Sequence, residues 1–342
     1  MILLAGDVGG TNTRLALFEH TEGEREPVVM EVFPSREHSS LEEIIELFTQ
    51  KNRQAIKHAC LGVAGPIRDG VAHLSNLPWN VDAYRLADHL GLPRVELVND
   101  LEAQAHGLPM LKDKDFVVLN CGEPDRGGNK ALISAGTGLG EAGLHWEEDY
   151  YQPFSTEGGH VDFAPRTQLE IELLSFLLTK YEHVSYERVL SGPGLYNIYS
   201  FLMDTGRGEE PAWLKQQIQE AEPAAAISQA ALEGSSGLCV EALRIFVGIY
   251  GAEAANLALK VMATGGVYVG GGIAPRIIER LKEPAFMEAF LAKGRMAALL
   301  NAVPVRVIVN DKTALYGAAR VAQLGIRLGH HPAANDQSLG TI

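Results

Sequence analysis

The chain has 342 residues, enough for about two domains, because a single hydrophobic core stops growing near about 250–300 residues. Hydrophobic residues make up 46% of it and charged residues 21%, a composition that excludes a disordered chain except at the ends. The net charge of −14 argues against nucleic acid and anionic membranes as partners, since their phosphates would be repelled.

The cysteines and the hydrophobic stretches indicate the compartment. Cys60, Cys121 and Cys239 lie far apart and form neither a CxxC pair nor an even disulfide framework. The apolar run at the start is interrupted by Asp7 too early for a signal peptide, and no uncharged stretch reaches the ~20 residues of a membrane span. We therefore expect a cytoplasmic protein that binds no membrane.

Strand-like apolar runs alternate with helix-like segments in the first third of the chain. Apolar runs at residues 2–5, 15–18, 59–63 and 95–98 predict strands. Ser40 followed by Glu43 is a capping box, which predicts a helix over residues 41–51. A second helix, over residues 83–90, should end at Gly91 and Pro93. This alternation indicates an α/β fold.

The opening pattern of the chain recurs in its second third. Residues 2–18 contain a strand, a glycine turn and a second strand, and residues 131–145 repeat that order. The recurrence predicts a duplicated α/β unit. Long helices are expected at residues 169–181 and 240–262, before a glycine cluster at 265–272. We expect a domain boundary near residues 108–111 and a loose polar tail from about residue 328.

Both glycine turns suit phosphate binding. Glycine reaches backbone conformations that leave N–H groups uncovered, so such a turn can wrap a phosphate oxygen. Thr11 adds a hydroxyl to the first turn, and Asp7 adds a carboxylate that can hold a hydrated Mg²⁺. An ordinary β-hairpin turn also favours Asp and Gly, but the second hydroxyl-bearing turn, at Thr137, favours a nucleotide site.

Other nucleotide-binding motifs fit less well. Residues 138–143 match GxGxxG, yet a dinucleotide fingerprint must open a helix, and the segment after Gly143 has no helical period. The sequence contains neither a Walker A motif nor a protein-kinase HRD loop. The glycine turns are therefore the predicted phosphate-binding elements.

Asn99 and Asp100 mark the end of a predicted strand and the start of a helix. A carboxylate at the carboxyl end of a strand faces the crevice in which α/β proteins bind ligands, where it can take a proton from a substrate hydroxyl. Asp is also a preferred helix N-cap, which is the competing interpretation of Asp100. The two roles are compatible if Asn99 does the capping or the carboxylate is shared.

Two further segments carry polar side chains. Glu157 and His160 flank two glycines that disfavour a helix, so we expect a loop that presents a carboxylate and an imidazole to the hydroxyls of a polyol. Glu187 precedes the glycine-flanked segment 191–194. The alternatives are a plain surface loop for the first segment and a salt-bridged helix end for Glu187.

Together these motifs resemble the bacterial glucokinases, the family without zinc in the hexokinase and actin-like superfamily, over roughly residues 2–325. Residues 6–11 resemble the first phosphate motif, 97–101 the catalytic strand end and 136–140 the second phosphate motif. Residues 157–165 and 187–194 resemble the sugar loops, which narrow the superfamily to this family, and residues 270–275 resemble the adenosine motif. The clustered cysteines of the zinc-binding repressor and kinase group are missing from the sequence.

The resemblance implies a fold and an activity. The fold would be two actin-like (ribonuclease H-like) α/β lobes with a cleft between them: residues 1–110 with about 314–327, and residues 111–313, before the loose tail at 328–342. The activity would be ATP- and Mg²⁺-dependent phosphorylation of D-glucose to glucose 6-phosphate, the first step of glycolysis, by a homodimer. The alternatives are another hexose or amino-sugar kinase and a non-catalytic, actin-like nucleotide-binding regulator.

The resemblance also assigns residues to these ligands. Asp100 is the implied general base, and Asp7 would hold Mg²⁺ through water. The implied glucose-binding residues are Asn76, Asn99, Asp100, Glu157, His160 and Glu187. The implied nucleotide-binding residues are Gly6, Asp7, Val8, Gly9, Gly10, Thr11, Gly136, Thr137, Gly138, Gly270, Gly271 and Gly272.

Overall fold

A computed structural model of the chain describes residues 1–19, 26–74, 77–148, 150–220 and 222–327. The chain divides into two compact units, one formed by Met1–Leu111 with the chain from Lys312, the other by Lys112–Asp311. The tail expected at residues 328–342 lies outside the described residues. Within the described ranges, no helix is long and apolar enough to cross a bilayer.

The first unit contains one large and one small sheet. Its elements up to residue 107 are β1 (Ile2–Val8), β2 (Asn12–Glu19), β3 (Val29–Pro34), α1 (Leu41–Lys51), β4 (Ile56–Val63), β5 (Ile67–Arg68), β6 (Val71–His73), β7 (Asn80–Asp82), α2 (Ala83–Leu90), β8 (Glu96–Asn99) and α3 (Asp100–Gly107). The large sheet has the order β3-β2-β1-β4-β8, and the small one β5-β6-β7. β1 runs antiparallel to β2 and parallel to β4.

The second unit is built on a six-stranded sheet. Its elements are β9 (Phe116–Asn120), β10 (Lys130–Ala135), β11 (Leu139–Glu147), β12 (Tyr150–Thr156), α4 (Gln168–Leu177), α5 (Gly192–Asp204), α6 (Ala212–Glu220), α7 (Pro223–Glu233), α8 (Gly237–Val261), β13 (Gly266–Gly270), α9 (Ile278–Leu281), α10 (Pro284–Leu291), α11 (Ala297–Ala302) and β14 (Val305–Ile308). The strand order is β12-β11-β10-β13-β14-β9. The final helix, α12 (Thr313–Arg327), returns to the first unit.

The two large sheets share one arrangement. In each, a central strand pairs antiparallel with the next strand of the chain and parallel with a later one: β1 with β2 and β4, and β10 with β11 and β13. Each sheet buries its apolar side chains in a core belonging to its own unit. The predicted α/β fold is confirmed, and the repeated hairpin predicted from the sequence is present.

The bounds predicted for the first two helices from nearby capping residues are correct. α1 begins where the Ser40 side chain accepts a hydrogen bond from the Glu43 N–H group, 3.3 Å away. The reciprocal half of the predicted capping box differs, because the Glu43 carboxylate accepts from Ser39 rather than from Ser40. α2 ends at Gly91, whose φ of 63° is the left-handed conformation that glycine favours.

The bounds of two later helices differ by a few residues from the predicted ones. The helix predicted over residues 169–181 is α4, Gln168–Leu177, and that predicted over 240–262 is α8, Gly237–Val261. The GxGxxG segment lies mainly in strand β11 and does not open a helix, which removes the dinucleotide interpretation.

Candidate active site

In the first unit, the turn between β1 and β2 is fixed by a serine from the next part of the chain. The Ser35 hydroxyl donates to the Gly9 carbonyl oxygen over 2.8 Å, and the Ser35 N–H group donates to the Thr11 carbonyl oxygen over 2.9 Å. Among the described residues, the N–H groups of Gly10 and Thr11 have no hydrogen-bond acceptor. The turn fixed by Ser35 therefore offers two backbone N–H donors to an anion.

Asp7 and Arg14 face each other across this hairpin. They are directly paired in the β1–β2 register, and Arg14 Nη1 lies 3.2 Å from Asp7 Oδ2. Sequence reasoning missed Arg14, although residues equidistant from a hairpin turn are cross-strand neighbours. Arg14 adds a cation to the turn that the predicted phosphates would approach.

Asn99 lies at the same edge of the sheet as this turn. The strand registers align Val8 with Val63 and Val63 with Asn99, across β1, β4 and β8. Asn99 is the N-cap of α3: its Oδ1 accepts from the Leu101 N–H group over 2.9 Å, and its Nδ2 donates to the Gly65 carbonyl oxygen. The interpretation of Asp100 as the cap is therefore wrong, although its Oδ1 shares the Leu101 N–H group at 2.9 Å.

The half-buried Asp100 side chain is a stronger base than an exposed aspartate. Burial raises its pKa, the negative charge of Asp7 raises it further, and the hydrogen bond from Leu101 opposes the rise. The hydrogen bond from Leu101 goes to Asp100 Oδ1. A carboxylate with a raised pKa at the end of a strand is suited to accept a proton from a hydroxyl group.

In the second unit, the predicted phosphate hairpin and the predicted adenosine motif follow the carboxyl ends of the parallel neighbours β10 and β13. The Gly136 N–H group donates to the Gly138 carbonyl oxygen over 2.8 Å, and Thr137 is exposed at the tip. Gly271 has a φ of 82°, and a Cβ atom there would lie 2.2 Å from the Ala135 carbonyl oxygen. Tyr250, which sequence reasoning missed, accepts from the Ala135 N–H group and donates to the Gly270 carbonyl oxygen.

Glu187 lies against the same hairpin. It belongs to the 3₁₀ helix Tyr186–Arg188, and its Oε2 accepts from the Leu139 N–H group over 3.1 Å. A Cβ atom at Gly138 would lie 2.6 Å from that oxygen, so glycine allows the close approach. Glu187 forms no ion pair in the part of the chain described, which argues against the salt-bridged helix end.

Glu157 precedes a short 3₁₀ helix, Gly158–His160, which packs on β11 and ends with His160. A Cβ atom at Gly159 would lie 2.1 Å from the Leu139 carbonyl oxygen, so both glycines are required by packing rather than by the turn alone. The Glu157 and His160 side chains are 88% and 60% exposed, with Oε2 and Nε2 3.9 Å apart. Both are therefore available to the hydroxyl groups of a ligand.

The predicted residues thus form one group in each unit. The first unit places Gly6–Thr11 and Asn99–Asp100 at one sheet edge, and the second unit places Glu187 at Gly138 and the turn 157–160 at Leu139. Asn76 lies outside the described residues. Over those residues, no group of three or more His, Cys, Asp and Glu side chains could hold a metal ion.

Comparison with known proteins identifies the family. The sequence model of the family described as Glucokinase matches residues 4–324. The chain belongs to the glucokinase family. It is 41% identical to the glucokinase of Synechocystis sp. over 92% of this chain and 96% of that protein. The predicted family and the prediction of an enzyme are confirmed.

Solved structures of glucokinases share the fold. The crystal structure of a glucokinase from an Antarctic psychrotroph gives a TM-score of 0.83 at 33% identity, covering 94% of this chain and 99% of that one. A ROK family glucokinase from Streptomyces griseus, in complex with glucose and AMPPNP, gives a TM-score of 0.62 at 18% identity, covering 95% and 100%.

Proposed function

We propose that this member of the glucokinase family transfers the γ-phosphoryl group of ATP to the 6-hydroxyl group of D-glucose. The observation that carries the proposal is the contact between Glu187, in a predicted sugar loop, and the phosphate hairpin at Gly138 and Leu139. In a sugar kinase the sugar-binding and phosphate-binding residues must be neighbours, because the hydroxyl oxygen and the γ-phosphorus must approach to about 3–3.5 Å.

Each group of residues has a role in the transfer. Asp100 takes the proton of the 6-hydroxyl group as the new O–P bond forms and ADP leaves. Asn99, Glu157, His160 and Glu187 bind the sugar hydroxyls. The transition state of phosphoryl transfer is loose, so the N–H groups of the glycine turns contribute mainly by stabilising charge on the phosphoryl oxygens.

Mg²⁺ enters with ATP as part of the substrate. Asp7 would hold it through water, and because the charge of Asp7 acts on Asp100, a divalent cation there would relieve their repulsion. Phosphate oxygens and water would supply most of the other ligands, as Mg²⁺ prefers in nucleotide sites. Gly270, Gly271 and Gly272 are the residues we assign to the adenosine side.

We also place the enzyme in a reducing cytoplasm, as a homodimer. All three cysteines are free, Cys60 and Cys239 buried and Cys121 exposed, which suits a reducing compartment. The dimer rests on the family resemblance alone. Light scattering of the purified chain tests it, and a monomer mass at micromolar concentration would contradict it.

A sugar panel tests the function. The purified chain with MgATP is offered D-glucose, D-mannose, D-fructose and N-acetylglucosamine, with ADP release and sugar phosphate both measured. We expect glucose to give the highest kcat/KM and glucose 6-phosphate as product. A higher kcat/KM for another sugar would indicate a different hexose kinase, and ATP binding without any sugar phosphate would indicate a regulator.

A further inference from the structure

Two buried glutamates lie beneath the sugar loops of the second unit. Glu141, on β11, is 1% exposed, and Glu253, on α8, is fully buried. Glu141 Oε1 has no hydrogen-bond donor in the described part of the chain, and the Glu141 side chain lies within hydrogen-bonding reach of the Glu253 carboxyl group. Two carboxyl groups can form that bond only when one of them carries a proton.

Glu141 carries this proton, because Glu253 has donors of its own. Glu253 accepts from Asn256 Nδ2 over 2.7 Å and from Lys260 Nζ over 3.5 Å. Burial and the negative charge of Glu253 raise the pKa of Glu141 well above its usual range, and Lys260 opposes the rise. A protonated Glu141 therefore donates a hydrogen bond to Glu253.

Glu141 contacts the turn that carries Glu157 and His160. A Cβ atom at Gly158 would lie 2.0 Å from Glu141 Oε2, so the carboxyl group lies directly against that glycine. Thr156 adds a second connection, since its hydroxyl donates to the Glu141 carbonyl oxygen and accepts from the Gly158 N–H group. Displacement of the Glu141 side chain would displace the turn.

Glu253 is connected to the other sugar loop. Asn256 Nδ2 also donates to the Tyr186 hydroxyl oxygen over 2.9 Å, and Tyr186 directly precedes Glu187. The Tyr186 N–H group in turn donates to the Val161 carbonyl oxygen over 3.0 Å, which joins the two loops. The carboxyl pair is therefore connected to both segments that carry predicted sugar-binding side chains.

We propose that Glu141, hydrogen-bonded to Glu253, is a positioning residue that holds both sugar loops in the geometry that binds glucose. The inference rests on the proposed function, because it takes Glu157, His160 and Glu187 as sugar-binding residues. Glu141 itself is covered by the Gly158 turn and acts through that turn rather than on the sugar.

Ionisation of Glu141 would place two negative charges in one buried site. The charged groups around the pair are already engaged: Lys260 pairs with Glu253, Lys293 donates to Asn256, and Arg166 pairs with Glu170. The Tyr186 hydroxyl is itself kept neutral, because burial and the charge of Glu253 raise its pKa. Repulsion would then push the Glu141 side chain against Gly158.

The test compares the glucose KM with pH for the wild type and Glu141→Gln. Glutamine has the shape of the neutral acid and an N–H donor for Glu253, but it cannot ionise. Above neutral pH, where buried glutamates titrate as high as about pH 8–9, we expect the wild-type KM to rise by up to about tenfold per pH unit. Glu141→Gln should keep a flat KM, with kcat and the KM for ATP close to wild type.

Glu147→Gln is the matched control, because Glu147 lies on the same strand with its side chain 51% exposed. Its glucose KM should change with pH as that of the wild type does. If the wild type and Glu141→Gln show the same pH dependence of the glucose KM, the positioning role is overturned. Absence of sugar phosphate from the wild type at every pH would instead overturn the proposed function.

A measurement on the wild type keeps the inference testable if Glu141→Gln does not fold. Difference infrared spectroscopy between neutral and alkaline pH detects the C=O stretch of a protonated carboxyl group. We expect such a band at neutral pH and its loss at alkaline pH. No protonated carboxyl band at neutral pH would mean that Glu141 is ionised, which overturns the inference.

Discussion

At the scale of single residues, Asn99 leaves Asp100 available for chemistry. Both residue types cap helices, so their order alone did not decide which one caps α3. The backbone decides it: Asn99 is extended, with φ −62° and ψ 150°, whereas Asp100 is the first helical residue. The Asp100 carboxyl group therefore lies directly after β8, and Asn99 rather than Asp100 is the N-cap of α3.

We expect Asp100→Asn to lower kcat by about 10²–10⁴-fold, the usual contribution of a general base, with little change in the glucose KM. The amide has the shape of the carboxylate and still bonds sugar hydroxyls, but it cannot take a proton. Steady-state kinetics over a range of glucose concentrations measures both constants. Asp88→Asn, an exposed aspartate on α2, is the control and should match the wild type. An unchanged kcat would leave Asp100 no role as a base.

At the scale of elements, sequence signals within a few residues were enough to predict where α1 and α2 begin and end. Ser40 and Gly91 determine helix ends through contacts with their own helices. The strands β3 and β5–β7 were not predicted. β3 is an edge strand with no fully buried residue, and β5–β7 have only two or three residues each, so neither gives a clear apolar pattern.

The sequence allowed candidate site residues to be predicted, but not the groups that support them. Glycine turns, strand ends and paired polar residues predicted Asp7, Asp100 and Glu187 from local sequence. The groups that hold them come from far along the chain: Ser35 for the first turn, Tyr250 for the second and Glu253 for the sugar loops. Long-range pairing of this kind leaves no spacing pattern in a single sequence.

The crossing of α12 over α3 gives a prediction at the element scale. A Cβ atom at Gly317 would lie 1.7 Å from the Ala103 carbonyl oxygen, and backbone cannot move aside as a flexible side chain can. We expect Gly317→Ala to lower the free energy of unfolding by about 1–3 kcal/mol or more, as overpacking does.

Gly248→Ala is the matched control, because Gly248 lies within α8 and a Cβ atom there would meet nothing within 4 Å. It should be neutral or stabilising by up to about 1 kcal/mol, since alanine is the better helix former. Urea unfolding of both variants measures the difference. Equal stabilities of the two variants would contradict the close crossing.

At the scale of the whole molecule, net charge is a weak guide to ligands. The charge of −14 argues against polyanionic partners, yet uncovered N–H groups at the glycine turns can still bind a phosphate group. Stability against pH depends in the same way on individual buried groups, two of which are His106 and Glu141. His106, in the first unit, and Glu141, in the second, are both buried and act in opposite directions.

Burial, with the nearby charge of Arg320, lowers the pKa of His106 to about 4. An unfolded histidine takes up a proton near about pH 6.5, so between these values the unfolded state binds more protons and stability falls as pH falls. Glu141 changes the stability with pH in the opposite direction. Unfolded, it loses its proton near about pH 4.3, whereas the folded state retains it, so stability falls as pH rises towards the folded pKa.

The pH ranges of the two effects overlap, so we expect them to cancel between about pH 4.3 and 6.5, and thermal stability to fall with rising pH only above about pH 6.5. His106→Gln should extend that fall down to about pH 4.3, and Glu141→Gln should replace it with a fall below about pH 6.5, because each variant removes one titrating group and leaves the other. Thermal unfolding of the sugar-free protein, measured at a series of pH values, tests both. His89→Gln, which changes an exposed histidine on α2, controls for the first substitution, and Glu147→Gln for the second. A pH profile of His106→Gln identical to that of the wild type would show that His106 makes no such contribution.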